Sequence, residues 1–332
     1  MSAPLDVPGS ATEATPEAVA QLSSAKAIQG RSLGQIAWMR LKRDKVAIAG
    51  GIVIVLLILI ALFAPLIVSW FGHPPNEFHK DQLDPFTLPI GGTGISSEFL
   101  FGVEPGNGRD IFSRVLYGSR ISLLIAFFAT VLSVIIGTVM GVIAGYFGGW
   151  VDTVISRIMD VFLAFPLLVF AIALVGVLGQ FEQELKIQGD TLRIGLLIFV
   201  IGFFSWPYIA RIIRGQTLSL REREFVDAAR SLGARGPYIL FREILPNLIA
   251  PILIYATLLI PTNVLFEAAL SFLGVGVQAP TATWGGMLAD AVRRYNMWHF
   301  MFFPGMAIFI TVLAFNLFGD GLRDALDPKS SR

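Results

Sequence analysis

Long apolar runs separated by short charged stretches dominate the chain, and the runs outlast the core helices of an ordinary soluble domain. An almost unbroken apolar segment from Val46 to Ser69 is long enough to cross roughly 30 Å of hydrocarbon, and Trp70 marks its far end. Similar runs cover Ser119 to Tyr146, Met159 to Leu178, Leu192 to Ile213, Leu248 to Leu270 and His299 to Gly319, so six spans are predicted. Pro166 is expected to bend the third and Pro207 the inner end of the fourth, while Pro251 and Pro261 make the fifth a bent rod. On the second span Gly137, Gly141 and Gly145 recur every fourth residue. That small-residue stripe lets another helix pack backbone to backbone.

Between the spans the pattern changes character. Residues 1–30 are polar and rich in Ala, Ser, Glu and Pro, without the apolar core of a signal peptide, and are expected to be a disordered cytoplasmic tail. Over 31–45, Leu33, Ile36, Ala37 and Leu41 share a helical face beside Trp38, with Arg40, Lys42, Arg43 and Lys45 supplying charge. This is either a helix lying in the membrane interface or a plain basic flank to the first span, which occupies 46–70. The stretch 71–118 is punctuated by Pro and Gly and is expected to fold as an extracytoplasmic lobe. Ser271 to Trp298 forms a second outer segment, and 320–332 a polar tail.

The stretch from Ser219 to Asn247 is charged and too long for a simple turn. Phe225, Ala229 and Leu232 fall on one helical face, Arg221, Arg223, Asp227 and Arg230 on the other, with Arg223 and Asp227 at i,i+4 spacing. Gly233 ends this helix, Gly236 and Pro237 permit a turn, and a second short helix is expected from Tyr238 to Pro246. The expectation is a compact knob of two short helices on the membrane surface, against the plainer alternative of a solvated connector.

Six spans place both termini on one side, and charge selects which. Lys26, Arg31, Arg40, Lys42, Arg43 and Lys45 precede the first span. Arg211, Arg214, Arg221, Arg223, Arg230, Arg235 and Arg242 lie between the fourth and fifth, and Arg323, Lys329 and Arg332 follow the sixth. The opposite side carries fewer, chiefly Lys80, Arg109, Arg114, Lys186, Arg293 and Arg294. The termini and the loop are therefore expected in the cytoplasm. With 55% hydrophobic and only 15% charged residues, the composition is that of a polytopic membrane protein. The net charge of +1 and the scatter of the arginines set nucleic acid aside, and the absence of cysteine removes disulfides, thiolate chemistry and Cys-ligated metals.

Four sequence blocks resemble one family. Glu224, the Asp227-Ala228-Ala229 run, Gly233 and the Ile244-Leu245-Pro246 step look like the EAA loop of ABC-importer permeases, with Asp in place of the leading Glu of the triplet. Phe101 to Leu123 resembles the GRD-x-x-SR-x-x-YG-x-R-x-SL approach to the second span in the C-type permease of dipeptide and oligopeptide importers, except that Val103 and Glu104 stand where that family commonly has Thr and Asp. Glu267 to Pro280 and Asn316 to Pro328 match the same family. The resemblance implies an all-α type I importer permease with six membrane helices, its core at 119–319 and a cytoplasmic coupling helix within 219–247. It implies one half of a translocation pore in a bacterial or archaeal cytoplasmic membrane, surrounded by lipid. The other half is a homologous B-type permease, driven by two cytoplasmic ATPases and supplied by an extracytoplasmic binding protein. ATP and Mg belong to the ATPases; this chain has no GxxxxGK[ST] loop and binds no cofactor. Within the resemblance, Glu224, Asp227, Ala228, Ala229, Gly233 and Pro246 carry coupling, and the cargo is a di- or oligopeptide, with nickel, glutathione or another small solute as alternatives.

Single residues add little beyond this. Glu267, near the outer end of the fifth span, is a pore or gate candidate. Arg157 and Asp160 suit an interface pair, Arg109 and Asp110 either a contact with the binding protein or a salt bridge within the lobe. His73, His79 and His299 lack metal-ligand spacing. A secondary transporter would carry an internal repeat or mid-membrane ionisable groups, and a membrane enzyme a GxSxG or HExxH motif. Spans two to four carry almost no ionisable groups, no HExxH occurs, and Gly30-Arg31-Ser32-Leu33-Gly34 fits GxSxG only as a string in the polar stretch ahead of the first span.

Overall fold

The computed structural model describes residues 33–174, 177, 190–294 and 296–326. The tail assigned to 1–30, the far end of the third span and the last six residues lie outside that range. Helices among the described residues are α1 (Leu33–Leu41), α2 (Lys45–Phe71), α3 (Ile111–Phe147), α4 (Gly149–Ala164), α5 (Leu167–Leu174), α6 (Asp190–Arg221), α7 (Glu224–Ser231), α8 (Gly236–Phe272), α9 (Trp284–Val292) and α10 (Trp298–Leu326). Extended pairing among them is limited to two isolated bridges, Leu83 with Pro89 and Val103 with Asp110. Five helices, α2, α3, α6, α8 and α10, are long and apolar enough to cross a membrane; α4 and α5 meet the same criterion only as a pair, and count as a sixth span if that bent pair crosses as one.

The bend between α4 and α5 is 77°, a break rather than the gentle kink expected inside one span. Pro166 has no N–H to donate, and its ring excludes the preceding residue from helical geometry. Phe165 accordingly adopts φ −75°, ψ 129°.

α3 begins at Ile111, eight residues before the predicted Ser119, so the lobe is shorter than 71–118. Its 37 residues give about 55 Å of helix, against roughly 30 Å of hydrocarbon; the surplus stands in the lobe. Asp110 caps this end, accepting from the Phe112 amide at 3.0 Å and the Ser113 hydroxyl at 2.6 Å. The lobe folds around a buried ionic centre. Arg109 Nε meets Glu104 Oε2 at 2.6 Å and Arg114 Nε meets Glu104 Oε1 at 2.5 Å, all three side chains almost fully enclosed. Arg114 also donates to the carbonyls of Pro75 and Pro280 at 3.2 and 3.1 Å, tying lobe, α3 and the outer segment together. The salt-bridge reading of Arg109 is the one the geometry supports, and Asp110 is spent on capping.

The most extensive contact in the bundle joins α3 to α6. A Cβ built at Gly137 would stand 2.7 Å from Ile209 Cβ and 2.8 Å from the Trp206 carbonyl oxygen. At Gly141 it would stand 2.6 Å from the Ala210 oxygen, and at Gly145 2.6 Å from Thr217 Cβ. The Ser133 hydroxyl extends the seam by donating to the Gly202 carbonyl at 2.8 Å. Backbone-to-backbone approach of this kind replaces the hydrophobic effect, which drives little helix association inside a membrane. α8 joins α3 through a buried polar rung, where Asn263 Nδ2 donates to Thr130 Oγ1 at 2.8 Å.

Candidate functional site

At the end of the bundle opposite the lobe, α3, α6 and α8 converge and α7 lies across them. α7 is an eight-residue helix whose first turn carries Glu224 and Asp227, where negative charge favours the helix dipole. Gly233 terminates it. The Gly233 amide bonds the Arg230 carbonyl at 2.9 Å and the Ala234 amide the Ala229 carbonyl at 3.0 Å. This paired reversal needs a left-handed residue, and Gly233 has φ +81°.

Val226, with half-buried Ala229 beside it, fastens α7 to the bundle. Val226 is 0% exposed and sits among Val142, Ile209, Ile213, Ile239, Ile244 and Leu248, contributed by α3, α6 and α8. Of the apolar face expected from periodicity, Ala229 packs against this cluster, while Phe225 and Leu232 point to solvent, Leu232 being 89% exposed. The predicted Arg223–Asp227 pair is also replaced. Arg223 is the N-cap, in extended geometry at φ −89°, ψ 148°, and so lies off the helical face. Asp227 pairs with Arg230 at 3.1 Å.

The outward face of the loop is a groove of about 630 Å³ lined by Phe225, Ala228, Ala229, Leu232, Gly233 and Tyr238, with Arg235 and Glu243 among its polar residues. Three of the predicted coupling residues, Ala228, Ala229 and Gly233, line it. Glu224 and Asp227 are exposed on the same helix without lining the groove, and Pro246 is exposed on α8. The second half of the predicted knob is not a separate short helix. From Gly236 the chain runs continuously to Phe272, and a π-helical turn over Ile239–Ile244 carries it past Pro246. There the Leu245 amide reaches the Leu240 carbonyl, shifting the hydrogen-bond register where the proline can donate nothing.

Ionic ties brace this end. Arg214 of α6 forms a two-pronged contact with Asp152 of α4, its Nη2 donating at 2.6 Å. Arg221 donates to the Tyr146 carbonyl at 3.1 Å. Asp160 meets Arg211 at 2.8 Å and Arg157 at 3.8 Å, so the expected pair is part of an α4–α6 bridge.

Glu267 lies near the lobe end of α8 and is completely enclosed. Its Oε1 accepts from the Ser271 hydroxyl at 2.7 Å, the Ser122 hydroxyl of α3 is beside it, and Oε2 has no hydrogen-bond partner among the described residues. Ser122 also accepts from the Trp284 amide at 3.3 Å, the first residue of α9. Glu267 thus occupies a three-helix contact and, among the described residues, is fully enclosed. Among the described residues no cluster of three metal-ligating side chains occurs. His73 and His79 pack at 4.7 Å between ring centroids, beside Phe99. Val226, Asn263, Glu104 and the Arg214–Asp152 contact have no counterpart in the sequence expectations. Only the apolar spacing around Val226 carried any signal, and it equally favoured its neighbours.

Comparison with known proteins places this geometry in context. Residues 137–332 match the model of the binding-protein-dependent transport system inner membrane component. Residues 32–85 match the N-terminal transmembrane domain of oligopeptide transport permease C. The chain is 44% identical over 295 residues to the dipeptide transport system permease protein DppC of Alkalihalophilus pseudofirmus, covering 88% of this chain and 89% of that protein. It is 45% identical, over the same shares, to the glutathione transport system permease protein GsiD of Escherichia coli O6:K15:H31. A chain from the inward-facing MetNI methionine ABC transporter superposes with a TM-score of 0.53 at 18% identity, covering 65% of this chain and 98% of that one.

Proposed function

Because the chain belongs to the family of binding-protein-dependent transport system inner membrane components, as a C-type permease, we propose that it imports di- or oligopeptides. The family assignment makes it a non-catalytic, multi-pass, pore-forming subunit of an ABC importer of the inner membrane, dependent on ATPase and binding-protein partners. The finer reading gives it a homologous B-type permease as the other half of the pore and two ATPases that bind the ATP and Mg, none of which this chain holds. Both termini and the α7 groove face the cytoplasm, in keeping with the arginines and lysines concentrated at that end.

The observation that carries the coupling role is the groove. It is exposed, its floor is made of Ala228, Ala229 and Gly233, and its helix is anchored to three spans through Val226. Small side chains let a partner's surface approach the backbone, while Glu224, Asp227, Arg230 and Arg235 at its margins orient the approach. ATP-driven closure of the ATPases would move α7, and α8, continuous from the loop to the lobe end, would carry that displacement across the membrane. Glu267 then contributes to gating from inside the helix contact, holding α9 on α3 and α8.

Peptide cargo rests on the dipeptide relative; the glutathione relative favours a second reading, a small peptide-like thiol. The test is purification in mild detergent with identification of the copurifying chains. A second permease, ATPases and a binding protein are expected, the last to be screened for bound ligand. Ala228→Arg with Ala229→Arg should release the ATPases while the permease pair stays together. ATPases retained by that variant would put the docking face elsewhere, and uptake without nucleotide would overturn the reading.

A further inference from the structure

A second groove lies at the same end of the bundle. α1 and α2 meet at the turn Lys42–Asp44, and between them runs a cleft of about 430 Å³ walled by Trp38, Leu41, Ile48, Ile52, Val55 and Leu56, with Phe318 of α10 behind. Ile48 to Leu56 spans about 12 Å along the axis of α2, most of one hydrocarbon leaflet at roughly 15 Å. Its walls are almost purely apolar, and four of them, Trp38, Ile52, Val55 and Leu56, are more than half exposed in this chain.

The mouth of the cleft is basic. Lys42, Arg43 and Lys45 are all exposed, and among the described residues none of them forms an ion pair. The Lys42 ammonium stands 5.1 Å over the Trp38 ring, which positions it at the rim. The one carboxylate in the turn, Asp44, is engaged in capping α2, accepting from the Val46 and Ala47 amides at 2.9 and 3.1 Å. An apolar slot of leaflet depth beneath a rim of three cations and one carboxylate, net positive, matches one chemistry, a hydrocarbon chain bearing an anionic headgroup.

We propose that this cleft binds an anionic phospholipid, one acyl chain lying along α2 between Trp38 and Phe318 and the phosphate held at Lys42 and Arg43. The site is distinct from the coupling groove and does not depend on the identity of the cargo. Bound there, the lipid would fill the angle between α1 and α2 and brace both against α10.

The test uses the assembled transporter in phosphatidylcholine nanodiscs. Each carries a small fraction of either phosphatidylglycerol or phosphatidylcholine with a photoactivatable diazirine on the acyl chain. Labelling of the peptide 38–56 is measured relative to the exposed Phe127 face of α3. Several-fold enrichment of the phosphatidylglycerol probe in the cleft is expected, falling roughly fivefold for each of Lys42→Gln and Arg43→Gln. Ile52→Trp, which fills the slot without touching the charge, should reduce labelling by both probes. Equal labelling by the two lipids, indifference to both charge removals, or protein cross-links occupying the cleft in place of lipid would overturn the proposal. Loss of enrichment to millimolar inorganic phosphate would do so too, since it would make the rim a free-anion site.

Discussion

The two ends of α3 are built on opposite principles. At Ile111 the helix enters a buried polar lobe in which Glu104 lies between Arg109 and Arg114, Asp110 accepts from Ser113, and Arg114 donates to the lobe backbone. At Phe147 it ends on Gly148, with Phe147 63% exposed, beside a surface helix held mainly by Val226. A buried ionic network admits few alternative geometries, because every displaced group leaves another charge unsatisfied. A short helix held by two small apolar side chains and otherwise largely exposed can be displaced at small local cost. The lobe end is constructed to hold its shape and the loop end to be taken hold of.

The largest effect expected from breaking this contrast is at Glu104. Glu104→Ala would strand Arg109 and Arg114 in the lobe interior, a loss of about 3–5 kcal/mol for a buried pair deprived of its partner. Glu104→Gln, which keeps the shape and the acceptor oxygen, should fall between. The readout is membrane yield and the melting temperature in detergent. A melting curve for Glu104→Ala superimposable on the unaltered protein would show that the network is solvated and that the lobe is held by something else.

The parts of this architecture that were legible in the sequence are those set by bulk properties or fixed period. Span length depends only on a run of apolar residues, and the Gly137–Gly141–Gly145 seam only on four-residue spacing. What could not be read there depends on who stands opposite. Val226 differs little in polarity from Phe225 and Leu232; it is the anchor because Ile213 and Ile239 happen to face it. Asn263 finds Thr130 across 133 positions of chain. The continuity of α8 through Pro246 rests on a π turn, which no local propensity signals. Glu104 looked like a departure from the family's pattern, and only the folded lobe shows it between two arginines.

A middle-sized effect belongs to Val226→Ala. Removing two buried methyl groups costs about 1.5 kcal/mol, and the loss falls on the attachment of α7 rather than on the bundle. Limited proteolysis should cut between Leu220 and Gly236 faster than in the unaltered protein, with uptake reduced and the melting transition nearly unmoved. If cleavage there stays slow while the whole protein melts earlier, α7 is integral to the bundle and the contrast between the two ends dissolves.

The smallest effect on stability and the sharpest on transport should come from Gly233. A Cβ at this position meets nothing within 4 Å, so no clash opposes a side chain, but φ is +81° and a non-glycine residue there costs about 1 kcal/mol. Asn and Asp tolerate this conformation better than other residues, so Gly233→Asn and Gly233→Asp should insert and melt almost alike. They differ by one charge projected at the edge of the groove. Loss of uptake in the aspartate variant alone would mean that the docking partner presents a surface that repels a carboxylate. Loss in both would mean that it approaches too closely to admit any side chain, as the neighbouring Ala228 and Ala229 suggest. Normal uptake in both would remove the groove from the coupling path, because a floor that accepts new atoms without consequence is not in contact with anything during the cycle.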